Sequence, residues 1–170
     1  LVIPASVTSI GNYAFYGCTG LDGKLTIEGN ENGTSIGQYA FYNCSKFSSL
    51  ELGEGVSSIG QWAFYNCYGM KGALVIPDSV TSLGSDAFYG CSGFTSIKLS
   101  ENLTAIPSSA FNNCTNLAGE LVIPDKVTTI NSPYAFGYCS KITSVVFGEG
   151  ITSVYDGSFY SCSGVKEITF

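Results

Sequence analysis

Apolar positions recur along the entire chain with one long period. A Phe followed three residues later by a Cys occurs at Phe15/Cys18, Phe41/Cys44, Phe64/Cys67, Phe88/Cys91, Phe111/Cys114, Phe136/Cys139 and Phe159/Cys162. Steps between successive Phe residues are 26, 23, 24, 23, 25 and 23, a base period of 23 with small insertions. Six or seven residues after each Cys comes an apolar-x-apolar triplet: Leu25/Ile27, Leu50/Leu52, Leu74/Ile76, Ile97/Leu99, Leu121/Ile123, Val145/Phe147 and Ile168/Phe170. Leu1/Ile3 is an eighth copy. The period of two predicts a short strand with one face inward. A second apolar pair follows a turn, as at Val56/Ile59 or Val127/Ile130. In the Ala-Phe-x-x-Cys segment the inward residues are three apart, which predicts one turn of 3₁₀- or α-helix, too short to stand alone.

Turn signals separate these anchors. Ile-Pro stands at 3–4, 76–77 and 123–124, and Gly-Glu-Gly at 53–55 and 148–150. Extra residues fall at 28–33, at 131–133 and singly before three of the strands, and all are expected to be loops. One unit cannot bury its own apolar positions; stacked copies give each Phe, Leu and Ile a neighbour above and below. The predicted fold is a right-handed solenoid of short parallel strands, about seven 23-residue repeats in a single domain over residues 1–170. The chain opens in the middle of a repeat, so it is expected to be a piece of a longer repeat protein. Leu1–Ile3 and Ile168–Phe170 would be bare strands at open solenoid ends, where self-association is expected.

The segments Phe47-x-x-Leu50-x-Leu52, Phe94-x-x-Ile97-x-Leu99 and Ile142-x-x-Val145-x-Phe147 resemble the leucine-rich-repeat core L-x-x-L-x-L. The asparagine that core carries three residues further on is present only as Asn102; Gly55, Ser79, Lys126 and Gly150 occupy the other copies. The full unit, clearest at residues 3–18 and 76–91, instead resembles the BspA-type (treponemal) leucine-rich repeats, over essentially the whole chain. That resemblance implies a leucine-rich-repeat solenoid in a cell-surface or secreted protein concerned with adhesion. It also implies a protein partner such as a host surface or matrix protein.

Composition narrows the chemistry. The hydrophobic fraction is 45% and charged residues are 12%, which excludes disorder. Net charge is −6 and all seven basic residues are Lys, which argues against nucleic acid and anionic membrane surfaces. The longest apolar runs are a few residues, far short of a span of about 20, so no membrane insertion is expected. There is no His, which removes Ser-His-Asp and Cys-His arrangements and His-containing metal sites. No catalytic residue, metal ligand or cofactor is assigned. The cysteines show repeat spacing and no C-x-x-C pair, and are expected to form a ladder of buried thiols. Glu28-x-Asn30-x-Asn32-Gly33 matches half of a calcium loop but lacks the Glu required at the last position, which is Tyr39.

Two surfaces are candidates for binding. The middle residues of the triplets, Thr26, Glu51, Val75, Lys98, Val122 and Val146, should point outward from the strand face. Valines exposed in one line suit a contact patch, although β-propensity alone would also place them there. The alternative is a pair of aromatic columns, Tyr16, Tyr42, Tyr65 and Tyr89 with Tyr39 and Trp62, which would bind sugars if their ring faces were open. A third possibility is a structural spacer that presents a neighbouring domain.

Overall fold

The computed structural model describes residues 1–131 and 133–170. Thirteen strands follow in chain order: β1 (Val2–Ile3), β2 (Ser9–Ile10), β3 (Gly23–Ile36), β4 (Phe47–Ile59), β5 (Gly72–Val75), β6 (Ser82–Leu83), β7 (Phe94–Lys98), β8 (Ala105–Ile106), β9 (Ala118–Ile123), β10 (Thr129–Ile130), β11 (Lys141–Phe147), β12 (Ser153–Val154) and β13 (Glu167–Thr169). Every pairing is parallel and joins equivalent positions of successive repeats, such as Leu25 with Leu50 and Leu121 with Val145. The protein is therefore a parallel β-solenoid of about seven turns, with repeats of about 24 residues. Its strands form four groups: β1, β2, β3, β4 and β6; β5 and β7; β9, β11 and β13; and β8, β10 and β12.

The core runs along the axis between the strand face and the Phe-x-x-Cys side. The anchor phenylalanines stack ring on ring through all seven repeats, with centroids 5.0, 5.3, 5.1, 5.7, 5.1 and 5.4 Å apart. Phe41, Phe64, Phe88, Phe111 and Phe136 are fully buried. Around them pack the inward triplet residues, including Leu25, Ile27, Leu74, Leu121 and Ile123.

The Phe-x-x-Cys side closes differently from the expected helical turn. It carries the i→i+3 bonds of a 3₁₀ turn, as in Ala14 N–H to Gly11 O, Tyr16 N–H to Tyr13 O and Cys18 N–H to Phe15 O. Left-handed residues interrupt it on either side of the Phe: Tyr13 and Gly17, Tyr39 and Asn43, Trp62 and Asn66, all with φ near +60°. The result is a run of linked β-turns, and no described residue is helical. The physical reason lies in the alternate amides, which turn outward and bond to the next repeat. Phe15 N–H donates to Ala40 O at 2.7 Å, Phe41 to Ala63 at 2.8 Å, Phe64 to Ala87 at 2.8 Å and Phe88 to Ala110 at 2.9 Å. A helix would consume these donors internally and leave the stack without them.

The cysteines complete this side. All seven are free thiols. Cys44 Sγ donates to Phe15 O at 3.0 Å, and the same relation holds for Cys67 with Phe41, Cys91 with Phe64, Cys114 with Phe88, Cys139 with Phe111 and Cys162 with Phe136. Each of those carbonyls also accepts the amide of the Cys in its own turn, so both lone pairs are used. A thiol supplies a small apolar volume and a weak donor together. Burial pushes the Cys44 thiol up to about 11 and Cys114 up to about 12, and raises Cys67, Cys91 and Cys139 as well.

The insertions behave in two ways. Residues 28–33 do not leave the sheet as a loop; they lie within β3, whose pairing to β4 shifts register between Gly29 and Thr34. The single extra residue of three copies is a glycine, Gly23, Gly72 or Gly119, which lies within β3, β5 or β9 and not in a loop, at φ between +72° and +87°. The insertion at 131–133 includes Ser132, which lies outside the described residues.

Candidate functional site

On the strand face, parallel pairing lines up the triplet centres in short runs. Val2, Thr26 and Glu51 pair in register, as do Val75 with Lys98, and Val122 with Val146 and Thr169. Val75 is 46% exposed and Val122 50%, while Glu51 and Lys98 are also exposed. Thr26 and Val146 are half-buried. Lys24 forms an ion pair with Glu51, and its ammonium holds the Glu51 carboxyl below its usual range. Thr26 Oγ1 donates to the same carboxylate at 3.4 Å. The first half of this face is thus polar and internally paired, and the second half carries Val75, Val122 and Val146 with Lys98 set beside Val75.

The aromatic side presents edges. Tyr16, Tyr42, Tyr65 and Tyr89 stack face to face at 4.9, 4.8 and 4.6 Å. Tyr13, Tyr39 and Trp62 form a second stack at 4.7 and 4.6 Å. Ring faces inside both stacks are covered by neighbouring rings. Burial raises the Tyr39 and Tyr65 hydroxyl pKa values. The tyrosine column stops after Tyr89, because the next positions in its line are Asn112 and Gly137. Asn112 is buried, and its Oδ1 has no hydrogen-bond partner among the described residues.

A third feature was not singled out from the sequence. The turn that leaves each strand carries a carboxylate in nearly every repeat: Glu28, Glu31, Glu54, Asp78, Glu101, Asp125 and Glu149. One lysine, Lys126, accompanies them; the other six carboxylates are matched by six lysines. The formal charge of −6 therefore resides on this edge. The signal was present as an acidic residue two places after five of the triplets, but it reads as turn chemistry until the turns are stacked. Some of these groups serve the backbone: Asp78 Oδ1 accepts Glu101 N–H at 2.9 Å, and Asp125 Oδ1 accepts Glu149 N–H at 3.2 Å. Glu101, Asp125 and Glu149 line one shallow groove of about 340 Å³ together with Val122 and Val146, so the acidic edge and the aliphatic part of the face are contiguous.

Other chemistry is sparse. Among the described residues no group of three or more Cys, Asp or Glu is placed to hold a metal ion, and no helix is long and apolar enough to cross a membrane. The oxygens of the calcium-like stretch face the chain itself. Glu28 Oε2 accepts Ala5 N–H at 2.9 Å and Asn30 Oδ1 accepts Asn32 N–H at 2.9 Å.

The BspA-type leucine-rich repeat region matches residues 1–73 and 72–170, in six copies. The chain belongs to this family. Among solved structures, a leucine-rich cell surface protein from Faecalibacterium prausnitzii A2-165 is similar over 99% of the chain at 22% identity, with a TM-score of 0.67. The chain spans 58% of that protein's length. The T. pallidum leucine-rich repeat protein is similar over 99% of the chain at 25% identity and a TM-score of 0.64, with 68% of its own length matched. A leucine-rich repeat protein from Bacteroides ovatus ATCC 8483 is 20% identical, with a TM-score of 0.50. No curated protein matches the sequence.

Proposed function

We propose that this chain is a non-catalytic scaffold of a cell-surface or secreted protein, one that binds a protein partner through its strand face. The observation that carries the reading is on that face, where Val75 and Val122 stand half in solvent although the fold does not need them exposed. Apolar residues exposed on a sheet face mark contact sites, and a solenoid sets them on one extended platform. The surface location rests on the family and on the similarity to the Faecalibacterium prausnitzii cell surface protein. Sugar binding is weaker as a reading, because rings of the tyrosine columns cover one another's faces. A spacer role would leave the exposed valines without a use.

The test is a parallel screen against host extracellular-matrix proteins and a glycan panel, with a Val75→Lys/Val122→Lys double variant. Protein binding that disappears in the variant supports the strand face. Glycan binding retained in the variant moves the site to the aromatic side, and silence on both panels favours a spacer. Self-association is a further expectation. Within residues 1–170 the amides of Phe159 and Ser161 and the carbonyls of Ala14 and Tyr16 carry no inter-repeat bond to a described residue, which supports that expectation. Concentration-dependent growth in light scattering would reveal end-to-end stacking.

A further inference from the structure

The strand face and its border differ in chemistry in a way that specifies a partner. On one side of Val122 and Val146 the groove wall is Glu101, Asp125 and Glu149. Among the described residues the ion pair on the strand face joins Lys24 to Glu51, at the other end of the solenoid. Among the described residues no lysine forms an ion pair with Glu54, Glu101 or Glu149; Lys126, the lysine on the edge, bonds Asn102 Oδ1 at 2.5 Å. Stacking sets Glu54, Asp78, Glu101, Asp125 and Glu149 in file, one per repeat, so their potentials add along the edge. Like charges held in file self-repel, and a cationic partner relieves that repulsion while the valines supply the apolar contact.

We infer that the aliphatic part of the strand face, centred on Val122 and Val146, docks a lysine- or arginine-rich protein segment whose cations lie along the Glu54–Glu101–Glu149 edge and whose aliphatic side chains cover the valines. The inference rests on the strand-face reading above and adds the charge of the partner to it. An acidic or neutral partner would leave the edge unpaired and would gain only the apolar contact. The basic segment steers to the edge over a Debye length of about 8 Å at physiological salt, and the aliphatic contact then holds it. Binding should therefore weaken with salt and still depend on the valines.

The experiment uses the whole chain and three synthetic peptides of equal length: lysine alternating with valine, lysine alternating with serine, and glutamate alternating with valine. Fluorescence anisotropy reads the affinity at low and at physiological salt. The lysine–valine peptide is expected to bind tightest and the glutamate–valine peptide not at all. Two triple variants with the same change in net charge separate the edge from charge in general. Glu54→Gln/Glu101→Gln/Glu149→Gln is expected to weaken lysine–valine binding about tenfold or more, consistent with loss of at least about 1.4 kcal/mol. Asp22→Asn/Asp86→Asn/Asp156→Asn is expected to change it less than threefold. Equal effects of the two triples, or binding of the glutamate–valine peptide as strong as that of the lysine–valine peptide, would overturn the inference. Equal binding of the lysine–serine peptide would remove the valines from it and overturn it as well. A natural partner lost with Val75→Lys/Val122→Lys but unaffected by the edge triple would leave the strand-face reading intact and refute only the charge of the partner. Circular dichroism of each variant separates lost binding from lost fold.

Discussion

The two sides of each repeat obey different rules of continuity. On the Phe-x-x-Cys side the ring stack, the forward amide bonds and the thiol bonds pass through all seven units without a break. On the strand side β5 pairs with β7 but not with β4, and β9 pairs with β11 but not with β7. At both breaks the later strand is the one that carries an extra glycine. The turn side sets the pitch because large buried rings and inter-repeat amides tolerate no displacement. The strand side absorbs single-residue differences because its outer face meets no other element of the chain. The continuous side is thus the structural member, and the variable side is free to differ from repeat to repeat.

The sharpest way to break this comparison is to cut the ring stack. Phe88→Ala should destabilise by about 3–5 kcal/mol in urea unfolding, the loss expected when a fully buried Phe leaves a cavity. A loss below about 1 kcal/mol would show that the stack does not hold the repeats together.

Alkaline pH attacks the same side next. Burial raises the folded-state pKa of the thiols, so they stay protonated in the native chain while unfolded thiols ionise above about pH 9. The unfolded state then binds fewer protons, and stability is whole below pH 9 and falls as pH rises above it. Each fully buried thiol, such as Cys91 or Cys114, removes up to about 1.4 kcal/mol per pH unit in this window. Cys91→Ser/Cys114→Ser should flatten the slope between pH 9 and 11. An unchanged slope would move the alkaline loss to other groups. Unfolding without reductant should release seven titratable thiols, and a smaller number would indicate disulfides.

Glycine substitutions separate close inter-repeat contacts from the extra glycines at smaller amplitude. A Cβ on Gly93 would lie 2.2 Å from Met70 O, a backbone atom of the preceding repeat, so Gly93→Ala forces two repeats apart and should cost about 3 kcal/mol. A Cβ on Gly72 meets nothing within 4 Å, and its penalty comes only from φ of +87°, about 1 kcal/mol. Reversal of this order in thermal melts would contradict the tolerance of the extra glycines. Hydrogen exchange should agree, with the amides of Phe64, Phe88 and Phe111 slower than those of β5. Smallest of all, Val75→Thr should shift stability by less than about 0.5 kcal/mol while altering partner binding.

Much of this was legible in the sequence, for definite reasons. The Phe-x-x-Cys and triplet positions face one core, so selection for burial wrote the period directly into the chain, and the parallel register of Leu25 with Leu50 follows from that period alone. The outward placement of Val75 and Val122 was readable from alternation. The left-handed conformation of Tyr13, Tyr39 and Trp62 was not, because no local preference of an aromatic residue calls for it; it arises from amides bonding a repeat that lies 23 to 26 residues away. The role of the cysteine thiols escaped for the same reason. The acidic edge escaped because charges that look scattered in sequence become a file only once the turns are superposed.

The forward amide bonds carry one more consequence. In the Ala40–Phe41 peptide the carbonyl accepts from the repeat before and the amide donates to the repeat after, and the same holds at Ala63–Phe64 and Ala87–Phe88. Gln38–Tyr39 and Tyr42–Asn43 head similar chains beside it. Peptide dipoles aligned in this way add, with the negative pole towards the first repeat and the positive pole towards the last, the reverse of an α-helix. Each unit polarises the bonds of its neighbours, by about 10–30% per bond. A repeat in the middle of a long array is therefore held more strongly than the same repeat near an end, so length itself becomes a stabilising property of such an array.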